Sequence, residues 1–322
     1  MTAMHTPPRL GFVFPGQGSQ ALGMMDALAS RHACVKERFA TAADVLGFDL
    51  WYLVTHGPEA ELNRTEHTQP ALLAASVATW DAWQQLGGAQ PDLMAGHSFG
   101  EYSALVCAGA LDYATAVRLV ARRGRFMQEA VQAGEGAMAA ILGLDQPQLE
   151  SICAEVSAAH GLCACANLNA PGQIVISGTA AAVEAACALA STRGAKRALR
   201  LQVSVPAHCA LMATAARRLA DELGAIELTP PRIAVVHNVD VAQHADADAI
   251  KHALVAQMCA PVRWIETIEQ FAAGGVTSVV ECGPGKVLSG LVKRIDKRLA
   301  TSALNVPDDF TPALLQGARL PA

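Results

Sequence analysis

The sequence predicts an α/β fold in two parts, and three observations carry that expectation. Short apolar runs at 10–14 and 93–97, and again at 233–236 and 277–281, alternate with helical stretches. The first two runs each end in a glycine-containing turn, Pro15-Gly16-Gln17-Gly18-Ser19-Gln20 and Gly96-His97-Ser98-Phe99-Gly100. Between them and the later runs, residues 136–204 follow a different rhythm, strand-helix-strand-strand-helix-strand, the split pattern of a ferredoxin-like unit.

In chain order, 10–14 reads as a buried strand leading through the Pro15–Gln20 turn towards a helix. The alanine-rich stretch 68–86 reads as a helix stopped by Gly87-Gly88. A second apolar strand, 93–97, precedes Ser98, Gly100 and a helix through Cys107. Another helix spans 115–131, with Asp112 or Thr115 as its N-cap. In the small unit, 137–144 is a strand and 146–159 a helix. Strands 162–167 and 173–177 are separated by Asn169-Ala170-Pro171-Gly172. A helix at 180–193 ends at Gly194, and 196–203 alternates as a half-exposed strand does. Because strand and helix units of the first kind resume afterwards, 134–204 reads as an insert, with 1–133 and 205–322 forming the large part. The tail from Asp308 reads as a surface segment.

The composition excludes several function classes. Of 322 residues, 52% are hydrophobic and only 16% charged, which is unlike disordered or coiled-coil chains. The net charge of −5 gives no general surface for a polyanion, so no nucleic-acid partner is expected. Mean hydropathy is +0.26, yet no apolar run approaches the roughly 20 residues that span a bilayer, so no membrane role is expected. Pro7, Pro8 and Arg9 interrupt the first ten residues, which lack the apolar centre of a signal peptide. Nine cysteines without a CxxC pair read as free thiols in a reducing cytoplasm rather than as a metal site.

The chemistry concentrates at Gly96-His97-Ser98-Phe99-Gly100. This G-x-S-x-G match follows a strand and precedes a helix, the setting of a nucleophile elbow. The helix start would aim backbone N–H groups and its positive end at a developing oxyanion beside Ser98. A serine needs a base. His208, in Val205-Pro206-Ala207-His208-Cys209, lies where the insert hands back to the large part, and such junctions favour clefts. His97 reads as a packing residue. No acidic third member is apparent, since Asp112 and Asp145 stand at helix starts, so a Ser-His dyad is open. The turn at Gly16 and Gly18 suits close approach to a ligand or an ordinary strand-helix connection. It is no Walker loop, because no Gly-Lys-Ser/Thr follows.

Taken as a series, Phe12–Gln20, Thr68-Gln69-Pro70-Ala71, Gly96–Leu105, Arg123-Gly124-Arg125-Phe126-Met127, Val205–Met212 and Glu281-Cys282-Gly283-Pro284-Gly285 are specific. From about residue 10 to about 306 the chain resembles the bacterial malonyl-CoA:acyl-carrier-protein transacylases of type II fatty-acid synthesis. The resemblance implies an α/β-hydrolase-like large subdomain with a ferredoxin-like insert. It implies acylation of Ser98, with His208 as base and Gln257 supplying the oxygen that orients its ring. It implies an oxyanion hole from the Gln17 and Phe99 N–H groups, where Phe99 replaces a usual leucine, and Arg123 as the partner of the malonyl carboxylate. Ala207 stands where serine is common.

A guanidinium is the cation suited to two carboxylate oxygens at once. Arg118 and Arg122, on the same run, can equally be solvated. The implied partners are malonyl-CoA and acyl carrier protein, with a monomer and no metal or bound cofactor expected. Lys196, Arg197, Lys286, Lys293 and Arg294 are candidates for carrier docking or simply a solvated face. A malonyl transferase of a malonate decarboxylase or polyketide system, and a serine thioesterase, stand as alternatives.

Overall fold

The computed structural model describes residues 9–203 and 205–317. Nine strands are present among them: β1 Arg9–Phe14, β2 Leu93–Gly96, β3 Gly136–Leu142, β4 Cys163–Ala170, β5 Gln173–Thr179, β6 Arg197–Arg200, β7 Ala234–Val236, β8 Val276–Cys282 and β9 Ala300–Leu304. They form two sheets. One is wholly parallel, in the order β7-β2-β1-β8-β9. The other is antiparallel, in the order β4-β5-β3-β6.

The parallel strands are short apolar runs because both of their faces are covered. Alternate residues of β1 serve opposite faces. Phe12 and Phe14 enter the larger core, where Phe12 meets Trp80 and Trp83 edge-on at 5.4 and 5.1 Å between ring centroids. Val13 points the other way, into a second core with Trp264, Phe271 and Val279. Two helices, Gln146–His160 and Ala180–Thr192, cover one face of the antiparallel sheet through Leu149, Ile152, Val183 and Ala186. Its other face carries Met138, Ala166 and Val175 towards the large sheet, with Leu201, Val203 and Ala207 partly buried against them.

The α/β class and the order of the small unit are as read from the sequence. Asp112 caps its helix through Thr115 N (2.9 Å), and Asp145 closes a reciprocal capping box with Gln148. Other expectations change. The helix expected from Thr68 begins at Thr65 and takes Pro70 inside it. Deep burial of Thr65, Thr68, Gln69 and Pro70 offsets the lost backbone bond. Strand β6 ends at Arg200; Leu201 N makes one more bond to Met138 O, and Leu201–Val203 line the cavity described below. The tail is not merely surface: Phe310 and Leu314 are buried in the main core, and Ala89 N donates to Leu315 O. One helix is expected after the Pro15–Gln20 turn, whereas four follow between Asp26 and Leu62, and β9 has no counterpart in the sequence reading. The leader expectation concerns residues mostly outside those described.

Candidate active site

The C-terminal ends of β1 and β2 lie side by side, with Phe14 paired to Gly96. The chain must turn sharply there. A Cβ on Gly96 would stand 1.8 Å from the Gly100 carbonyl carbon, and one on Gly100 would stand 2.4 Å from Phe14 O. Glycine at both places is therefore a packing requirement. Between them Ser98 is held at φ +55°, a left-handed conformation uncommon for a residue with a side chain. The Gly100–Cys107 helix starts immediately after.

His208 reaches this turn from 110 residues downstream, with Ser98 Oγ and His208 Nε2 2.7 Å apart. Its Nδ1 donates to the backbone oxygen of Gln257 at 2.9 Å, which leaves Nε2 free to accept the serine proton. No carboxylate takes that place. Gln257, wholly buried at the end of the Ala247–Gln257 helix, also donates from Nε2 to Ser98 O (3.1 Å) and accepts from Arg123 Nη2 (3.2 Å). One side chain and its carbonyl thus touch all three groups. Burial, and behind it the Arg123 charge, pushes the His208 imidazole down to about 3.

Arg123 comes from the Tyr113–Glu129 helix, which packs on the Thr65–Gln85 helix, and is 1% exposed. Burial lowers its pKa. Among the described residues it has no carboxylate partner within salt-bridge distance. Nη1 donates to the Met127 thioether at 3.2 Å, and Nε has no acceptor. A thioether is a weak acceptor for a buried cation. The Gln69 amide turns to the same sulfur at 3.6 Å, and its oxygen is unpartnered. Arg118, by contrast, is exposed, and Arg122 pairs with Glu222.

Ser98, His208, Arg123, Gln17 and Phe99 line one cavity of ≈ 350 Å³, roofed by Met138, Asn167 and Leu201–Val203 of the small unit. Gln257 stands behind it. Phe99 buries its ring in the main core rather than crowding the mouth. Gln17 and Phe99 both border the cavity, and neither backbone N–H has an acceptor among the described residues. Ala207 borders the cavity beside His208. His97 bonds through Nε2 to Asn169 Oδ1 (2.8 Å) and lies edge-on to Trp264, so it braces the turn. The arrangement suits attack by a serine oxygen on an acyl carbon whose chain ends in an anion.

Sequence reasoning missed Glu101, His237 and Asn238, all wholly buried against the Ser98 turn. Asn238 follows β7, and ends of parallel strands at such a junction are where sites gather. That positional rule was the available signal. No group of three or more His, Cys, Asp or Glu side chains among the described residues is placed to hold a metal ion. No described helix is long and apolar enough to cross a membrane.

Comparison with known proteins places these features in context. The acyl transferase domain family matches residues 11–307. The malonyl CoA-acyl carrier protein transacylase of Salmonella typhimurium strain LT2 is 54% identical over 96% of this chain and 99% of its own. That of Escherichia coli strain K12 is 55% identical over 95% and 99%. The solved transacylase of Coxiella burnetii superposes with a TM-score of 0.94 at 49% identity, covering 96% of this chain and 97% of that one. A malonyl-transacylase solved in complex with its type II PKS acyl-carrier protein gives 0.93 at 54%, covering 95% and 99%.

Proposed function

This chain belongs to the acyl transferase domain family, and from that premise we propose that it moves a malonyl group from malonyl-CoA to the phosphopantetheine thiol of an acyl carrier protein, supplying fatty-acid synthesis. The observation that supports this choice of acyl group is Arg123. A buried guanidinium with no carboxylate partner among the described residues, lining the same cavity as a serine-histidine pair, fits an acyl chain that ends in a carboxylate.

His208 Nε2 takes the Ser98 proton as Oγ bonds to the thioester carbonyl carbon. The carbonyl electron pair moves onto oxygen, which the Gln17 and Phe99 N–H groups hold. Collapse breaks the carbon–sulfur bond, and the CoA sulfur leaves with the proton from His208. The carrier thiol then enters by the same path in reverse, giving its proton to His208 and leaving Ser98 free. The Gln257 carbonyl keeps the imidazole in the required tautomer. A thioesterase would need water to compete at the same step; the anion-binding cavity and the two-subdomain likeness favour transfer.

We assign 134–204 to the small subdomain and 1–133 with 205–322 to the large one, in keeping with the two sheets. Lys196, Arg197 and Arg294 converge on one surface recess with Pro171 and Gly172, and Lys286 and Lys293 are exposed, a distribution that suits an acidic carrier. Nine cysteines, all free, suit a cytoplasmic setting. The direct test is an intact mass after incubation with malonyl-CoA. One malonyl adduct on the wild type and none on Ser98→Ala is expected. An adduct that persists in Ser98→Ala overturns the assignment.

A further inference from the structure

Ser98 is tied by its backbone as well as by its hydroxyl. Its N–H donates to Asn238 Oδ1 at 2.8 Å, a contact across 140 residues. Asn238 is itself fixed: its backbone N–H donates to Glu101 Oε1 at 2.6 Å. The other oxygen of Glu101 shares a 3.0 Å hydrogen bond with His237 Nδ1. Glu101, His237 and Asn238 are all 0% exposed. Glu101 belongs to the first turn of the helix that Ser98 precedes, so the network closes on itself: helix, carboxylate, post-β7 loop, serine.

We propose that Asn238 is a positioning residue for the transfer reaction, fixing the reacting serine through its backbone N–H. The left-handed conformation of Ser98 is unfavourable in itself and persists only where its surroundings hold it. Two tertiary contacts do so here, Asn238 on the N–H and the Gln257 side chain on the carbonyl. The Asn238 contact also consumes the Ser98 N–H. That leaves Phe99 N–H, one residue on, as the unengaged amide of the turn, so the oxyanion has one defined seat beside Gln17. Without the Asn238 oxygen, a partly buried donor would be orphaned at the point where the hydroxyl must be aimed. Asn238 does not border the cavity, so substrate binding has no direct need of it.

The inference rests on Ser98 being the nucleophile, and its test separates the two claims. A fluorophosphonate probe reports Ser98 reactivity without malonyl-CoA. Asn238→Ala is expected to slow both phosphonylation and kcat by about 10–100-fold, the scale of an ångström's misplacement. KM for malonyl-CoA should stay within about threefold. Asn238→Asp keeps an acceptor oxygen for the Ser98 N–H and should regain most of the phosphonylation rate. Unchanged phosphonylation in Asn238→Ala, or a KM that rises in step with the loss, overturns the proposal. So does an Asp variant as slow as Ala. If Asn238→Ala does not fold, Asn238→Ser, whose oxygen is one atom too short, carries the same comparison. Failure of the wild type to take up malonyl while still being phosphonylated at Ser98 would instead count against the substrate assignment.

Discussion

Ser98 and His208 both sit at positive φ, +55° and +61°, and it is these two strained residues that share the 2.7 Å hydrogen bond. Neither conformation is local preference. Each is imposed by packing from elements far away in sequence, so the pair is assembled before any ligand arrives. His208→Ala should therefore lower the rate of acyl-Ser98 formation by about 10²–10⁴-fold, the range of a positioned general base. Malonyl-CoA should still bind, because Arg123 is untouched. Rapid-quench measurement of the acyl-enzyme checks this; a rate within tenfold of wild type would remove His208 from the base role.

Arg123→Ala should change which acyl group is preferred. A charge-assisted hydrogen bond contributes about 1.5–3 kcal/mol, so loss of even one costs malonyl transfer roughly ten- to a hundredfold. Acetyl transfer makes no such bond and should be spared or improved. Arg123→Lys should fall between, since an ammonium cannot grip both carboxylate oxygens in one plane. The ratio of malonyl to acetyl adduct in a mixed-donor mass assay measures this directly.

Gly124 tests whether helix packing sets the place of that guanidinium. A Cβ there would lie 2.6 Å from both Glu66 Cα and Thr65 O, backbone atoms of the neighbouring helix. Gly124→Ala must push the two helices apart, and Arg123 is the adjacent residue. The expected result is a lower melting temperature together with a raised KM for malonyl-CoA. A stable variant with unchanged KM would show that the contact yields without moving the arginine.

Much of this architecture is written locally, and what is not has a physical cause. The Ser98 turn is readable because its glycines, apolar strand and following helix are consecutive. The β-α-β-β-α-β order is readable because each element is short and punctuated by Gly or Pro. Strand β9 escapes notice because Ala300–Leu304 alternates only weakly, its identity coming from pairing with β8. The Phe310 and Leu314 anchors look like an ordinary tail until the core that receives them exists. Arg123 reads as one of several helical arginines. Only the fold separates it, buried, from Arg118 five residues before it and from the adjacent Arg122. Glu101 and His237 escape notice for the same reason, and Asn238 is marked only by its place just after β7, which does not announce that 137 residues collapse to one hydrogen bond with Glu101.

The buried, neutral His208 should leave a mark on stability. Unfolded, it titrates near 6.5; folded, it is held at about 3. Between those limits the unfolded chain binds the extra proton. The contribution is thus fully present above the unfolded value and is lost progressively as pH falls towards the folded one. The slope from this group is at most about 1.4 kcal/mol per pH unit. Urea midpoints at pH 7, 6 and 5 should fall less steeply for His208→Gln than for the wild type. Parallel slopes would show that other groups carry the acid sensitivity.

The charge proposed to recognise the substrate also tunes the base. Burial is the larger cause of the low His208 pKa, and the Arg123 cation is the next. In the free enzyme no carboxylate within salt-bridge distance pairs with that cation among the described residues, and the Glu101 charge acts on it only from farther off, so its repulsion still reaches the imidazolium. A bound malonyl carboxylate pairs with it and removes that part of the shift. His208 then becomes the better base only when the correct acyl group is seated. The acid limb of kcat/KM, which reports the free enzyme, should lie at lower pH than the acid limb of kcat, which reports the complex. Arg123→Ala removes the charge permanently. Its free-enzyme limb, followed by fluorophosphonate labelling of Ser98 against pH, should move upward towards the histidine's ordinary 6.5 without reaching it, because burial remains. An acid limb that stays where it is in Arg123→Ala would show that the guanidinium binds substrate without setting the basicity of the histidine.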